Sequence, residues 1–458
     1  MKSRAHSVHV AMVRGGRRTQ EMAFGMLSSG AQPIAIDFGV SALKALQIAP
    51  GDSPSIVAAA MMEVPEELRD EPLMRLEHQA QALPKLLRSA GFKGRRAVCS
   101  IPASHTLVQH MQVQRVEGVS LERLVGGQLQ VQLACDPSQL VVRPIVVGDV
   151  NRGGVSKTEV ICVAVSRTVV LRMVQALRSC KLDAVGVHSE HSAIVRAFDH
   201  ITRRADDHNL TTVYIDIGSG STKVAIAHGR DMVFAKTIQI AGRALDSVIA
   251  RQLKIDMASA RAHRLALTEL APIRAPSTAP ETDEEDAPSG GLAALTAGMR
   301  MAEGGATMSA GGDSLSDSDA GGLDETDTAI EDRRTGRDPV GAAPLPLNAG
   351  SAPMAPAPQA DLSETLESLT DEIAMCLRYH GALFPGRKVD RAIFIGGEAK
   401  HIPLCQHIAR ALRLPARIAD PLAHIVKPES VARRGVDLST SQPGWAVASG
   451  LGLSPADL

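Results

Sequence analysis

The chain has 458 residues, a formal net charge of -1 and an aromatic content of only 2%. That length exceeds one ordinary hydrophobic core, so two or more domains are expected. The near-neutral balance and the scarcity of stacking rings exclude a nucleic-acid binder, which would carry basic clusters interleaved with aromatics. No run approaches the roughly 18 apolar residues needed to cross a bilayer, and the early basic residues Lys2, Arg4, Arg14, Arg17 and Arg18 are not followed by an apolar leader, so a soluble, non-exported protein is expected. Cysteines 99, 135, 162, 180, 376 and 405 form no C-x-x-C pair; they read as reduced thiols of a cytoplasmic protein.

Residues 1–31 show no clear period and are expected to form a disordered arm, with Met22 or Met26 as alternative starts. An apolar run from Pro33 to Ile36 then leads through a short turn into Leu43 to Ile48, followed by a strand from Ser55 to Val64 and a helix from about Met74 to Ala90, closed by Gly91. Residues 95–180 read as a separate module. Its strands are expected near Ala97 to Ile101, His105 to Val113, Leu140 to Val147 and Thr158 to Val165, and its helices at Leu121 to Ala134 and Val169 to Cys180. Leu121, Leu124, Val125 and Leu129 keep helical spacing, the stripe of a core-facing helix.

The second part repeats the plan of the first, with strands at 212–217, 222–227 and 232–240 and a helix from Gly242 to about Leu253. Residues 271–360 are rich in Ala, Pro, Gly, Ser and Asp and contain no Phe, Trp or Tyr, so they cannot bury enough apolar surface to offset their ordering entropy. Fifteen acids against five arginines give this tract ten net negative charges, which leaves the remainder nine positive against the total of -1. A solvated, disordered insertion in a surface loop is expected there, with a regulatory tether as the other reading. A helix from Ser363 to about His380, a strand Arg391 to Ile395, the turn Gly396-Gly397 and a helix Pro403 to Leu412 follow.

Two segments nearly coincide 179 positions apart: Asp37-Phe38-Gly39-Val40-Ser41-Ala42-Leu43-Lys44 and Asp216-Ile217-Gly218-Ser219-Gly220-Ser221-Thr222-Lys223. Each lies between two β-type runs, so each is expected in the tight turn of a hairpin. Glycine lets backbone N–H groups approach a phosphate, the hydroxyls of Ser41, Ser219, Ser221 and Thr222 add donors, and a carboxylate at the strand end can hold a hydrated divalent cation. One such turn is common in structural hairpins; two in matching positions can clamp one nucleotide from opposite sides. No residue is nominated as catalytic base, since in-line placement against a terminal phosphate is not readable from spacing. His188 with His191, and His401 with His407, form no recognised ligand pattern, and His105 and His110 read as surface or partner-contacting residues.

These two turns, the apolar strand entering Gly396-Gly397 before a helix, and the run Ala446-Val447-Ala448-Ser449-Gly450-Leu451-Gly452-Leu453 together resemble the superfamily of actin, hexokinase and the heat-shock chaperone ATPases. Within it the chain is most similar to the PilM family of type IV pilus assembly proteins, relatives of cell-division FtsA. The resemblance covers residues 32–270 and 361–458. It implies an α/β fold of duplicated actin-like, ribonuclease H-like domains around a nucleotide cleft, with an inserted FtsA/PilM-type α+β subdomain. The implied division is 32–94 with 181–209 as the first actin-like subdomain, 95–180 as the inserted partner-binding subdomain, and 210–270 with 361–458 as the second half.

The implied cofactors are ATP and Mg²⁺. Carried over position by position, Asp37, Gly39, Ser41 and Lys44 belong to the first phosphate loop and Asp216, Gly218, Ser219, Gly220, Ser221, Thr222 and Lys223 to the second. Asp37 and Asp216 would hold Mg²⁺ through water, and Gly396 and Gly397 would lie against the adenosine. Two departures stand out: Val40 occupies a position usually held by a small hydroxyl residue, and Glu398 follows the glycine pair where a small or hydroxyl residue is more usual, with Lys400 or Lys223 able to offset its charge near phosphates. The implied role is a cytoplasmic ATP-binding scaffold of a pilus or type II secretion-like platform, with slow or absent hydrolysis. It would be peripheral to the inner membrane through the N-terminal cytoplasmic peptide of a PilN-like protein, with no direct insertion and with self-association allowed. The alternatives are an FtsA-like filament protein, against which the short, cation-free end Leu451 to Leu458 speaks, and a small-molecule kinase, for which no substrate carboxylate is identifiable.

Overall fold

The computed structural model describes residues 32–134, 136–152, 155–202, 205–270 and 360–454. The expected arm and all of the acidic insertion except Ala360 lie outside the described residues.

In the first part, β1 (Ile34–Phe38), β2 (Ala42–Ala49) and β3 (Ser55–Glu63) form an antiparallel meander, followed by α1 (Pro72–Ser89) and β4 (Arg96–Ile101). Next come β5 (Thr106–Val113), α2 (Leu121–Leu133), β6 (Leu140–Arg152) and β7 (Val155–Ser166), then α3 (Arg167–Ser179), β8 (Asp183–Ser189) and α4 (Glu190–Arg196). The second part runs β9 (Thr211–Ile217), β10 (Thr222–His228), β11 (Asp231–Ile238), α5 (Gly242–Leu253), α6 (Met257–Ala266), α7 (Ser363–Leu383), β12 (Arg391–Ile395), α8 (Ile402–Leu412) and β13 (Ala416–Ile418). Short β14 (Ala432–Arg434) and α9 (Ala446–Gly452) end the described chain.

The duplication read from the sequence is present in the sheet order. One sheet is β14-β3-β2-β1-β4-β8 and the other β11-β10-β9-β12-β13; in each, an antiparallel meander continues through its first strand into parallel partners. Strands β1, β9 and β10 are buried along their whole length, as sheets covered on both faces require. Helices α1 and α3 cover the outer face of the first sheet through Leu83, Leu86, Met173 and Leu177. Helices α5, α7 and α8 cover the outer face of the second through Leu245, Ile249, Leu369, Ile373 and Leu404.

Between the sheets lie α4 and α9, whose Ala193, Ile194, Ala446, Ala448 and Leu451 pack with Ala35 and Leu46 of one sheet and with Tyr214 and Ala225 of the other. Small residues allow this crossing: a Cβ added at Gly450 would collide with the carbonyl of Ala193.

Two expected boundaries shift. The inserted module is the three-stranded layer β5-β7-β6 with α2 upon it, built on Leu107, Met111, Val125, Leu129 and Val160. Strand β4 and helix α3, expected within the module, belong to the first sheet: Ala35 pairs in parallel with Val98, and Met173 packs in the outer core of that sheet. The segment after β13, expected in the second half, crosses back, since Ala432 pairs with Ala58 and α9 packs on β1 and β2. Hydrogen-bond partners far along the chain decide both cases.

Candidate functional site

The two repeated turns match in register. Asp37 pairs with Lys44 and Phe38 with Leu43; Asp216 pairs with Lys223 and Ile217 with Thr222. In both hairpins the glycine is obligatory, because an added Cβ at Gly39 would lie 2.8 Å from the carbonyl oxygen of Ala42 and one at Gly218 would lie 2.9 Å from that of Ser221. In both, lysine reaches its cross-strand aspartate, Lys44 Nζ at 3.5 Å from Asp37 and Lys223 Nζ at 3.6 Å from Asp216.

The two turns also meet. A Cβ built on Gly220 would stand 2.9 Å from a Cγ of Val40, so the tip of one turn touches the tip of the other. The hydroxyl of Ser219 is buried and has no hydrogen-bond partner among the described residues. Ser41 and Ser221 are half-buried beside it in their turns. Thr222 is different: its hydroxyl donates to the carbonyl of Ile240 at 2.7 Å and is fully buried, so it ties the turn to the approach of α5 and is not a free donor. The backbone N–H groups of Gly242 and Arg243 reach the carbonyls of Gly218 and Ser219, which seats the second turn on the start of α5.

Gly396 and Gly397 complete the arrangement. Gly396 has φ +97°, in the region that favours glycine, and a Cβ there would collide with the carbonyl of Ile217 and approach Asp216 Oδ1 to 2.5 Å. The glycine turn therefore lies directly against the second hairpin. Its neighbour Gly397 is exposed, with nothing within 4 Å of an added Cβ. Gly444, just before α9, backs this turn, and its carbonyl accepts the Lys44 ammonium at 2.7 Å. The two turns therefore meet each other through Val40 and Gly220, Gly396 lies against Asp216 and Ile217, and Lys44 reaches Gly444, whereas Thr222 is tied to Ile240.

Sequence reasoning missed Glu190. This buried carboxyl opens α4 and lies 3.2 Å from Lys223 Nζ, which places it beside Asp216. Burial raises its carboxyl above the ordinary range, against the pull of Lys223. Burial works against the charge of Lys223, but Asp216, Glu190 and Asp37 together hold its ammonium above the usual lysine range. Ser189 caps this short helix by accepting from the N–H of Ser192.

The expectation for Glu398 is corrected. Its partners are neither Lys400 nor Lys223: Glu398 is buried and meets Arg264 at 2.8 Å and Arg261 at 3.4 Å, while Arg264 also bonds Asp246 at 2.6 Å. Burial raises the Asp246 carboxyl although Arg264 opposes it. A closed ionic cluster, not a phosphate, answers the carboxylate after the glycine pair, and it fastens that turn to α5 and α6. Among the described residues no group of three or more His, Cys, Asp or Glu side chains is arranged to hold a metal ion directly.

Comparison with known proteins places the chain in a family. The profile of the family described as Type IV pilus assembly protein PilM matches residues 35–268. A solved structure of a PilM-PilN type IV pilus biogenesis complex is similar at a TM-score of 0.61 and 16% identity, covering 93% of this chain and 99% of that one. The ethanolamine utilization protein EutJ from Carboxydothermus hydrogenoformans matches at a TM-score of 0.39 and 10% identity, over 92% of this chain and 89% of that one. MreB5 of Spiroplasma citri bound to ADP matches at 0.38 and 11%, over 91% and 94%. A search of curated proteins gives no significant match. The fold is that of the actin-like ATPases, and the chain belongs to the type IV pilus assembly protein PilM family.

Proposed function

We propose that this protein is an ATP-binding scaffold of type IV pilus assembly, in which nucleotide holds the two sheet domains together across the cleft. The observation that carries the reading is the meeting of two register-matched Asp-Gly turns, Val40 against Gly220, with Gly396 seated on the second of them. The chain's residues suit the group: the unpartnered Ser219 hydroxyl and the N–H groups of the turns suit phosphate oxygens, Asp37 and Asp216 suit hydrated Mg²⁺, and open Gly397 suits a flat base. Mg-ATP would supply the charge that bridges the two turns. Glu190 is engaged by the Lys223 ammonium at 3.2 Å and is not free to take a proton from water, which fits binding with slow or absent turnover.

The inserted module is the docking site in this reading. Its β5 is an edge strand; among the described residues it pairs only with β7. Beside that edge runs a groove of about 630 Å³ lined by His110, Met111, Gln112, Leu124, Gly127 and Val131. An extended peptide adding to the edge of β5 would seat apolar side chains against Leu124 and Val131. The partner is the N-terminal cytoplasmic peptide of a PilN-like inner-membrane protein, which keeps this chain in the cytoplasm and peripheral to the membrane. Among the described residues no helix is long and apolar enough to cross a membrane.

Thermal melts with and without Mg-ATP test the cleft. The wild type is expected to melt higher with nucleotide, whereas Asp216→Asn keeps its fold and loses the shift; an unchanged shift in the variant removes the second turn from the site.

A further inference from the structure

Strand β11 touches both features on which the proposed function rests. On one side stands the module. The backbone N–H of Ala235 donates to His110 Nε2 at 3.4 Å, the His110 ring stacks on Phe234 with centroids 4.7 Å apart, and Tyr379 of α7 lies edge-on at 5.1 Å. Since Nε2 accepts, the ring proton sits on Nδ1 and points to Glu159 Oε1 at 3.2 Å; the Tyr379 hydroxyl donates to the same oxygen at 3.3 Å. On the other side stands the cleft. The carbonyl of Lys236 accepts from His191 Nε2 at 3.1 Å, and His191 follows Glu190, the partner of Lys223.

We propose that β11 couples the two sites, so that nucleotide in the cleft stabilises the β5 edge and α2, although neither element lines the cleft. The coupling rests on the nucleotide reading above. The module is carried by the first sheet through β4 and α3, whereas Phe234, Ala235 and Tyr379 belong to the second half. Rotation of one half against the other must break this junction. Separation withdraws the Tyr379 hydroxyl from Glu159, a buried carboxyl whose Oε2 has no hydrogen-bond partner among the described residues and which would keep only His110, its neighbour within the module. The junction therefore belongs to the closed arrangement, the one that nucleotide favours, and His110 is also a wall of the groove.

Hydrogen–deuterium exchange on the full chain, with and without Mg-ATP, tests this. In the wild type, Mg-ATP should slow exchange at residues 37–44 and 216–223 and also across 106–133, the latter by about fivefold or more, the lower end of usual coupling factors. Tyr379→Phe and Phe234→Leu should keep the slowing at 216–223 and lose most of it at 106–133. Slowing at 216–223 with none at 106–133 in the wild type, or full slowing at 106–133 in both variants, overturns the coupling while leaving nucleotide binding in place. No slowing anywhere overturns the nucleotide reading and the coupling with it.

Discussion

The first and second hairpins share one backbone plan and differ in electrostatics. Lys44 is half-buried, shares its ammonium between Asp37 and the Gly444 carbonyl, and faces one carboxylate. Lys223 is buried and stands between Asp216 and Glu190. Duplication thus preserved the turn that glycine dictates, while one copy gathered a buried ionic centre and the other became a lighter counterpart. The same asymmetry recurs one position earlier, where Leu43 of the first copy is matched by hydrogen-bonded Thr222 in the second.

The largest expected effect breaks that asymmetry directly. Lys223→Met leaves Glu190 and Asp216 buried without their cation and should lower stability by about 3–5 kcal/mol. Lys44→Met should cost about 1 kcal/mol, the worth of an ordinary hydrogen bond. Denaturant melts of the two variants check it; equal losses would mean that the two turns are electrostatically equivalent.

Acid sharpens the comparison next, because the helix that carries Glu190 also carries His191. Burial holds His191 down to about 4, against an ordinary value of 6.5, with Lys223 adding to the effect. His105 and His228 are pushed to about 4 by burial as well, helped by Arg75 and by Arg387 respectively. Between pH 6.5 and 4 the unfolded chain binds protons at these sites and the folded one does not, so stability should fall as pH drops through that window. A full shift of this size is worth about 3 kcal/mol per histidine. Glu190 acts in the opposite sense, so the informative quantity is the difference between wild type and His191→Gln. The wild type should lose stability faster below pH 6.5, and parallel curves would refute a neutral buried His191.

Contact between the turns is probed by Gly220→Ala. The new methyl meets Val40 at less than van der Waals distance, and the overpacking should cost about 2 kcal/mol. Val40→Ala should restore most of the loss in the double variant, a coupling that turns lying apart would not produce.

The repeated turns were legible because every feature they need is local: glycine for a close carbonyl, alternating strands, an aspartate and a lysine seven residues apart. The glycine pair was legible for the same reason. Glu190 was not, because α4 is only seven residues long and its carboxyl gains meaning from Lys223, 33 positions on. The partner of Glu398 was hidden too, since Arg264 lies on the far side of the acidic tract. The limits of the inserted module were misjudged because β4 and the strands of the module are alike in composition and differ only in which strand they pair with. The return of β14 rests on three residues beside β3, too few to form a periodic signal.

The smallest expected effect decides whether Thr222 belongs with the phosphate-facing residues. Its hydroxyl is donated to the Ile240 carbonyl within the second half, in a place where the first hairpin has the apolar Leu43. Thr222→Val keeps the shape and removes that bond to the Ile240 carbonyl, so stability should drop by about 1 kcal/mol. If the hydroxyl serves only to tie the turn to α5, the rise in melting temperature with Mg-ATP should be the same in variant and wild type. A lost rise at unchanged basal stability would return Thr222 to the site and show that the second turn, unlike the first, turns its strand-end side chain toward the cleft.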